Sequence, residues 1–286
     1  MSIEMETLTL KDFVLTEKDF YNISQMVYDH CGINLHDGKK ELVRARLAKR
    51  LRLGKFRTFQ EYLDYVLADK TGMEFSILID SISTNLTSFF REEQHFKFME
   101  HQFLPNLLNK KRSQRNFKIR GWSAGCSSGE EPYSIAITLN EFLKGQGKWD
   151  TKILATDIST SILQMAKKGI YSEERISPVP AAQKQKYLIA HNAKGQKIYE
   201  VNQILKDTVI FSYLNLMKDW PIKGPIDFIF CRNVMIYFDK PTQSVLINRY
   251  WDLLDSGGVL FTGHSESLTG IEHKFKYVQP TIYMKP

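Results

Sequence analysis

The residues best placed to do chemistry lie in Arg120-Gly-Trp-Ser-Ala-Gly-Cys-Ser-Ser-Gly-Glu-Glu-Pro-Tyr133. Phe117 to Gly121 alternates like the end of a buried strand, and Pro132 to Phe142 carries Ile135, Ala136, Leu139 and Phe142 on one helical side. Strand, glycine-rich turn and helix is how a parallel α/β sheet brings backbone N–H groups to a nucleotide. Gly121, Gly125 and Gly129 are spaced by four, which is not the G-x-G-x-x-G of dinucleotide dehydrogenases. Glu130 and Glu131 stand where the helix begins, and Pro132 fits its first turn. Acids there complement the helix dipole but repel a pyrophosphate. A nucleotide held here is therefore cationic or lacks phosphate, and S-adenosylmethionine is both. An ordinary strand-to-helix turn would show the same residues.

Further candidates follow at strand ends. Thr151 to Asp157 reads as a second strand, with Asp157 where such sheets bind ribose hydroxyls. Capping the next helix, Ser159 to Lys168, is its alternative role. Val209 to Leu214 reads as a third strand ending at Asn215 and Leu216, where Asn215 serves either an adenine edge or the turn itself. Pro225 to Cys231 is an apolar fourth strand that delivers Arg232 and Asn233 to the ligand crevice. Gly258 to Thr262 is a fifth, followed by Gly263-His-Ser-Glu266; Lys276 to Val278 and Thr281 to Tyr283 read as a closing hairpin. Residues 171–208 break the rhythm and suggest a two- or three-stranded flap that includes Lys184 to Ile189. Ahead of the first strand, a helix is expected from Thr87 or Ser88 to Leu108. Arg91 would then oppose the dipole of its first turn, marking a site or pairing with a nearby acid, while Phe89 and Phe90 enter the core.

The elements that position these groups fit 286 residues, 43% hydrophobic and 25% charged, enough for a sizeable core. No apolar run approaches the roughly 20 residues of a membrane helix, and the first residues lack a signal pattern. Three scattered cysteines, Cys31, Cys126 and Cys231, suggest free thiols in a cytoplasmic protein. Residues 16–82 read as helical, with Thr16 as a cap, Gly32 as a stop, a basic helix from Lys39 to Leu53, and helices at Thr58–Leu67 and Glu74–Ile82. Net charge is +7, and residues 39–57 hold nine Lys/Arg against one Glu, a local +8. Val43, Leu47 and Leu51 stack on one side of the basic helix, with Arg46, Lys49, Arg50 and Arg52 opposite. That face is either solvated surface or a site for an anionic partner. An acidic protein helix fits better than nucleic acid, because Phe56 and Phe59 lie beyond the helix.

From about Phe13 to Tyr283 the chain resembles the chemotaxis receptor glutamate methyltransferases, the CheR family. The resemblance rests on Thr84–Glu92, Cys126–Ser134, Ala155–Ile158, Ile229–Asp239 and Gly263–Glu266. It implies a Rossmann-like class I methyltransferase sheet with a small antiparallel flap at about 172–207. The whole would span residues 83–286, behind an all-α domain over residues 12–82. It implies transfer of methyl from S-adenosylmethionine to receptor glutamates, leaving S-adenosylhomocysteine. By similarity Asn85, Thr87, Arg91, one of Glu130 and Glu131, Asp157, Asn215, Leu216, Arg232 and Asn233 contact the cofactor. Arg91 and Tyr237 stand near the transferred methyl, and Arg46, Lys49, Arg50 and Arg52 face a receptor helical bundle. Ala190 to Gln196 is short and has one glycine, unlike family loops that dock a receptor pentapeptide, so pentapeptide-independent binding is expected. A monomer is expected, with no metal, no nucleic acid and no membrane insertion. The Asn/Asp-Pro-Pro-aromatic motif of base-methylating enzymes is replaced here by Arg232-Asn-Val-Met.

Overall fold

The computed structural model describes residues 13–193 and 195–286. The chain divides into two compact units, one ending at Thr84 and one running from Asn85 to Pro286.

The first unit holds α1 (Glu17–Cys31), α2 (Lys40–Gly54), α3 (Phe59–Ala68) and α4 (Met73–Ile82). Thr16 and Asp19 form a reciprocal capping box on α1, and Gly32 ends it in the left-handed conformation. Val43, Leu47 and Leu51 are buried along α2. The opposite side is not the uniform cationic face expected. Arg50 makes two 2.6 Å bonds to Glu74 of α4, a carboxylate that is only 5% exposed. Arg46 donates to the Ile82 carbonyl and the Thr84 hydroxyl. Residues 46 and 50 are one turn apart and border the apolar stripe. Their stems lie along it and their heads find internal acceptors. Of the four cations, Lys49 and Arg52 are the exposed pair.

The second unit begins with α5 (Glu93–Phe98), a π turn (Met99–Phe103) and α6 (Leu104–Ser113). Then come β1 (Lys118–Ala124), α7 (Glu130–Phe142), β2 (Asp150–Asp157) and α8 (Thr160–Lys168). An insertion follows: β3 (Ile170–Ser172), α9 (Ala181–Tyr187), β4 (Leu188–Ala193) and β5 (Gln196–Val201). The alternation resumes with α10 (Gln203–Thr208), β6 (Val209–Tyr213), β7 (Ile226–Cys231), α11 (Lys240–Leu253) and β8 (Leu254–Thr262), and β9 (Lys276–Gln279) and β10 (Ile282–Met284) close the chain.

The large sheet has the order β6-β2-β1-β7-β8-β10-β9. Strands β6, β2, β1, β7 and β8 are mutually parallel, so their carboxyl ends share one edge. The last hairpin adds antiparallel β10 and β9. All six residues of β7 are buried, as a central parallel strand requires. Gly121 admits the Phe228 ring of the neighbouring strand into the space a Cβ would need. The small antiparallel sheet, β3-β5-β4, is the expected flap. Its boundaries differ from expectation: Lys184 to Tyr187 belong to α9, whose alanine, lysine and glutamine residues favour helix directly after Pro180. Residues 190–193, expected to belong to the turn, continue β4, and β4 and β5 stay paired as far as Ala193 and Gln196.

The junction corrects a second expectation. No helix starts at Thr87 or Ser88; α5 starts at Glu93, after Glu92 in the left-handed conformation. Phe90 is also left-handed, at φ 52°, and its N–H donates to Ser134 Oγ on α7 at 2.9 Å. Contacts to α7 thus fix this segment as a non-helical strap. Arg91 precedes the helix, so the dipole conflict inferred for it does not arise.

Candidate functional site

The turn after β1 is shaped for close packing. Gly125 has φ 90°, and a Cβ there would strike Val234. The N–H groups of Gly125 and Cys126 donate to the Thr156 carbonyl at 2.8 and 2.9 Å. Ser127 N–H donates to Asp157 Oδ2 at 2.8 Å, and Ser159 N–H to Oδ1 at 2.9 Å. Asp157 therefore ties the turn after β1 to the turn after β2. The cap of α8 is Ser159, whose Oγ accepts from Ile162 N–H, so capping is not the role of Asp157.

The strap crosses the same edge. Ser127 Oγ–H donates to the Asn85 carbonyl at 2.8 Å, and His264 N–H donates to Glu92 Oε1 at 3.1 Å. The Asn85 carbonyl is thereby tied to the glycine turn that Asp157 holds. The Arg91 guanidinium donates to the Leu86 carbonyl at 3.0 Å. Phe89 is buried, edge-on to Tyr171 at 5.0 Å.

Glu130 and Glu131, at the start of α7, are both paired. Glu131 accepts from Ser123 Oγ–H at 2.6 Å and from Arg232 Nε–H at 2.7 Å. Glu130 is fully buried, accepts from Ser128 Oγ–H at 2.7 Å, and pairs with Arg175 from the insertion. Buried carboxylates need such partners. Arg175 was not singled out from the sequence. Its one signal was arithmetic: two adjacent acids at a buried helix start require two cations.

Arg232, 5% exposed, is a hub. Besides Glu131 it donates to the Arg91 carbonyl at 2.5 Å and to His95 Nδ1 at 3.2 Å, and lies 3.4 Å from Glu92 Oε2. Its guanidinium packs over the Phe96 and Phe230 rings. Arginine donates only, so His95 Nδ1 accepts, and Nε2–H donates to Thr281 Oγ1 at 2.8 Å. Burial first, then the neighbouring Arg232 and His264, hold the His95 pKa down to about 3. The imidazole is neutral, so its 3.4 Å approach to Glu92 is not an ion pair.

A pH dependence follows. Unfolded histidine titrates near 6.5, above the folded value, so the unfolded chain binds the extra proton. The stability this group confers is complete above pH 6.5 and is lost as pH falls towards about 3. The gap in urea midpoint between the wild type and His95→Gln is expected to narrow from pH 6.5 to 5. A gap independent of pH would contradict a neutral His95.

Glu266 is a second organiser. Its buried carboxylate accepts N–H donors from Gly263 at 2.6 Å, Asn233 at 2.7 Å and Ile236 at 3.1 Å, joining the turns after β7 and β8. Burial pushes its pKa up, and those donors pull it back. Asn233 is left-handed, at φ 59°, and Tyr237 ends a 3-10 turn, Met235–Tyr237. Asn215 and Leu216 are buried directly after β6, and Asn215 Oδ1 accepts from Met217 N–H at 2.9 Å, so its turn role is real. The three cysteines are free and buried. Burial raises the Cys31 pKa to about 11 and that of Cys126 well above the usual range, leaving inert thiols. A surface cavity of about 510 Å³ between Arg115, Phe117, Lys148 and Trp149 lies at the amino ends of β1 and β2, away from these groups.

The carboxyl edge suits a nucleoside without phosphates. Arg232 and Arg175 are spent on Glu131 and Glu130. A diphosphate would meet acids already in balance with their cations. Asp157, at the tip of β2, offers the acceptor that paired hydroxyls need.

The description "CheR methyltransferase, SAM binding domain" matches residues 85–284, and "CheR methyltransferase, all-alpha domain" matches residues 18–83. A chemotaxis protein methyltransferase of Borreliella burgdorferi is 42% identical over 95% of both chains. Chemotaxis protein methyltransferase 2 of Pseudomonas aeruginosa is 40% identical over 96% of this chain and 95% of its own. The Escherichia coli chemotaxis protein methyltransferase is 40% identical over 94% of this chain and 91% of its own.

Proposed function

The chain belongs to the CheR methyltransferase family and methylates chemotaxis-receptor glutamates with S-adenosylmethionine, and we propose that it does so at the carboxyl edge of the large sheet. The observation that carries this assignment is the convergence of the strap 85–92, the glycine turn, Asp157 and the turns after β6 and β7 on that edge.

Asp157 accepts both ribose hydroxyls, and Asn215 with Leu216 takes the adenine. Asn85, Thr87, Arg91 and Asn233 line the remaining wall. Glu130, Glu131 and Arg232 contribute mainly by holding the turn and the strap in place. When bound, S-adenosylmethionine supplies a methyl group on positively charged sulfur. A receptor glutamate is more than about 99% ionised at neutral pH, given a pKa near 4.3, so no residue of the chain is needed as a base. The chain's task is to orient that carboxylate and exclude water. Arg91 steers the carboxylate, Tyr237 borders the transfer point, and Phe89 and Phe90 keep water out.

Exposed Lys49 and Arg52 meet the acidic face of a receptor helical bundle. Strands β4 and β5 of the flap stay paired as far as Ala193 and Gln196, which leaves little loop for a tethering peptide and supports pentapeptide-independent binding. The enzyme works as a monomer on the cytoplasmic side. No described helix is long and apolar enough to cross a membrane.

Purified enzyme, a receptor cytoplasmic fragment and methyl-labelled cofactor test the reaction. Label should enter the fragment and leave as methanol under base, because carboxyl esters hydrolyse. Base-stable label would refute glutamate ester formation.

A further inference from the structure

We propose that Arg249 is a positioning residue for the adenine side of the site, acting through the Leu216 and Lys218 carbonyls rather than on the cofactor. This inference rests on the reading that Asn215 and Leu216 receive the adenine.

The loop after β6 leaves an edge strand that pairs with β2 alone. Within the loop, Lys218 N–H donates to the Asn215 carbonyl at 3.1 Å, which closes a single turn. Leu214 N–H ties the start of the loop to the Asp157 carbonyl at 3.1 Å, and what holds the turn beyond it comes from α11. Arg249 Nη1 donates to the Leu216 carbonyl at 2.7 Å, and Nη2 donates to the Lys218 carbonyl at 2.6 Å. One planar guanidinium thus grips two carbonyls two residues apart and sets their spacing, which a flexible ammonium does not do. Trp220 Nε1–H donates to the same Leu216 carbonyl at 3.1 Å.

The grip is anchored. The Arg249 guanidinium lies 3.7 Å from the Trp220 ring centroid. Trp220 stacks on Tyr250 at 5.3 Å and 27°, and meets Trp122 edge-on at 4.9 Å and 81°. Trp122 is fully buried on β1 and donates from Nε1 to Thr156 Oγ1 of β2 at 2.9 Å. A continuous aromatic stack therefore transmits the position of β1 and β2, which carry the glycine turn and Asp157, to the loop that carries Asn215. Adenine and ribose contacts must keep a fixed separation for one nucleoside to satisfy both, and this stack supplies it together with the Leu214–Asp157 bond.

Arg249→Met keeps a long stem over Trp220 and removes both donors. Binding of S-adenosylhomocysteine and of adenosine alone is measured by calorimetry on the full chain, together with melting temperature and steady-state kinetics. Both ligands should weaken by the same factor, about tenfold for the lost bonds. KM for the methyl donor should rise, and kcat at saturating donor should stay within about twofold. Arg249→Lys should recover part of the affinity. Combined with Asn215→Ala, or with Asp157→Ala, the loss should fall short of the product of the single losses, because Arg249 acts through the spacing of those two contacts. Unchanged affinity in Arg249→Met overturns the proposal. If that variant melts too early to assay, a folded Arg249→Lys with wild-type affinity does the same. Failure of the wild type to bind adenosine, or full affinity in Asn215→Ala, would instead overturn the adenine assignment beneath it.

Discussion

Asp157→Ala is expected to weaken binding of S-adenosylmethionine and S-adenosylhomocysteine by about a hundredfold to a thousandfold. The carboxylate stands at the tip of β2, 9% exposed, with its oxygens already oriented by Ser127 and Ser159 N–H. Hydroxyls bonding to a carboxylate contribute roughly 1.5–3 kcal/mol each, and the low end of the sum for two, about 3–4 kcal/mol, sets that range. The same substitution strips acceptors from two buried N–H groups, so melting temperature should fall as well. Affinity is therefore measured by calorimetry well below the variant's melting point. An unstable variant that binds normally would refute the ribose role, while a stable variant that binds poorly would strengthen it.

Arg232→Met is expected to be the most damaging substitution to the sheet unit. It leaves Glu131 buried without its cation and removes the donor that holds the Arg91 carbonyl and His95. Breaking a buried pair from one side costs about 3–5 kcal/mol. For a domain of this size that lowers the melting temperature by roughly 10 °C. Methyl transfer should fall more than stability does, because the strap carrying Arg91 loses its tether. Adding Glu131→Gln removes the orphaned charge, so the double variant should recover part of the melting temperature without recovering turnover. A single variant that melts like the wild type would show that Arg232 is not the hub.

The architecture was legible where patterns are local. The run Phe117 to Phe142 announced strand, turn and helix, the apolar Ile226–Cys231 run announced a central strand, and Thr16, Thr58 and Ser159 announced helix starts. Distant partners settled the rest. Where α5 begins depends on Phe90 and Glu92 in left-handed conformations, and the Phe90 N–H is held by Ser134, 44 residues away. The direction of Arg50 depends on Glu74, in a different helix. The partners of Glu130 and Glu131 were not legible because neither Arg175 nor Arg232 is near them in sequence. Arg232 itself was legible as a residue of the crevice, but its commitment to Glu131 and to the strap was not.

The central claim is that one carboxyl edge holds the methyl donor by its sugar and its base. A crystal structure of the chain with S-adenosylhomocysteine tests it most directly. Both ribose hydroxyls should lie on Asp157, with the adenine against Asn215 and Leu216 and the thioether facing the strap near Arg91. Density for the nucleoside at any other place, or a ribose that leaves Asp157 untouched, would contradict the account.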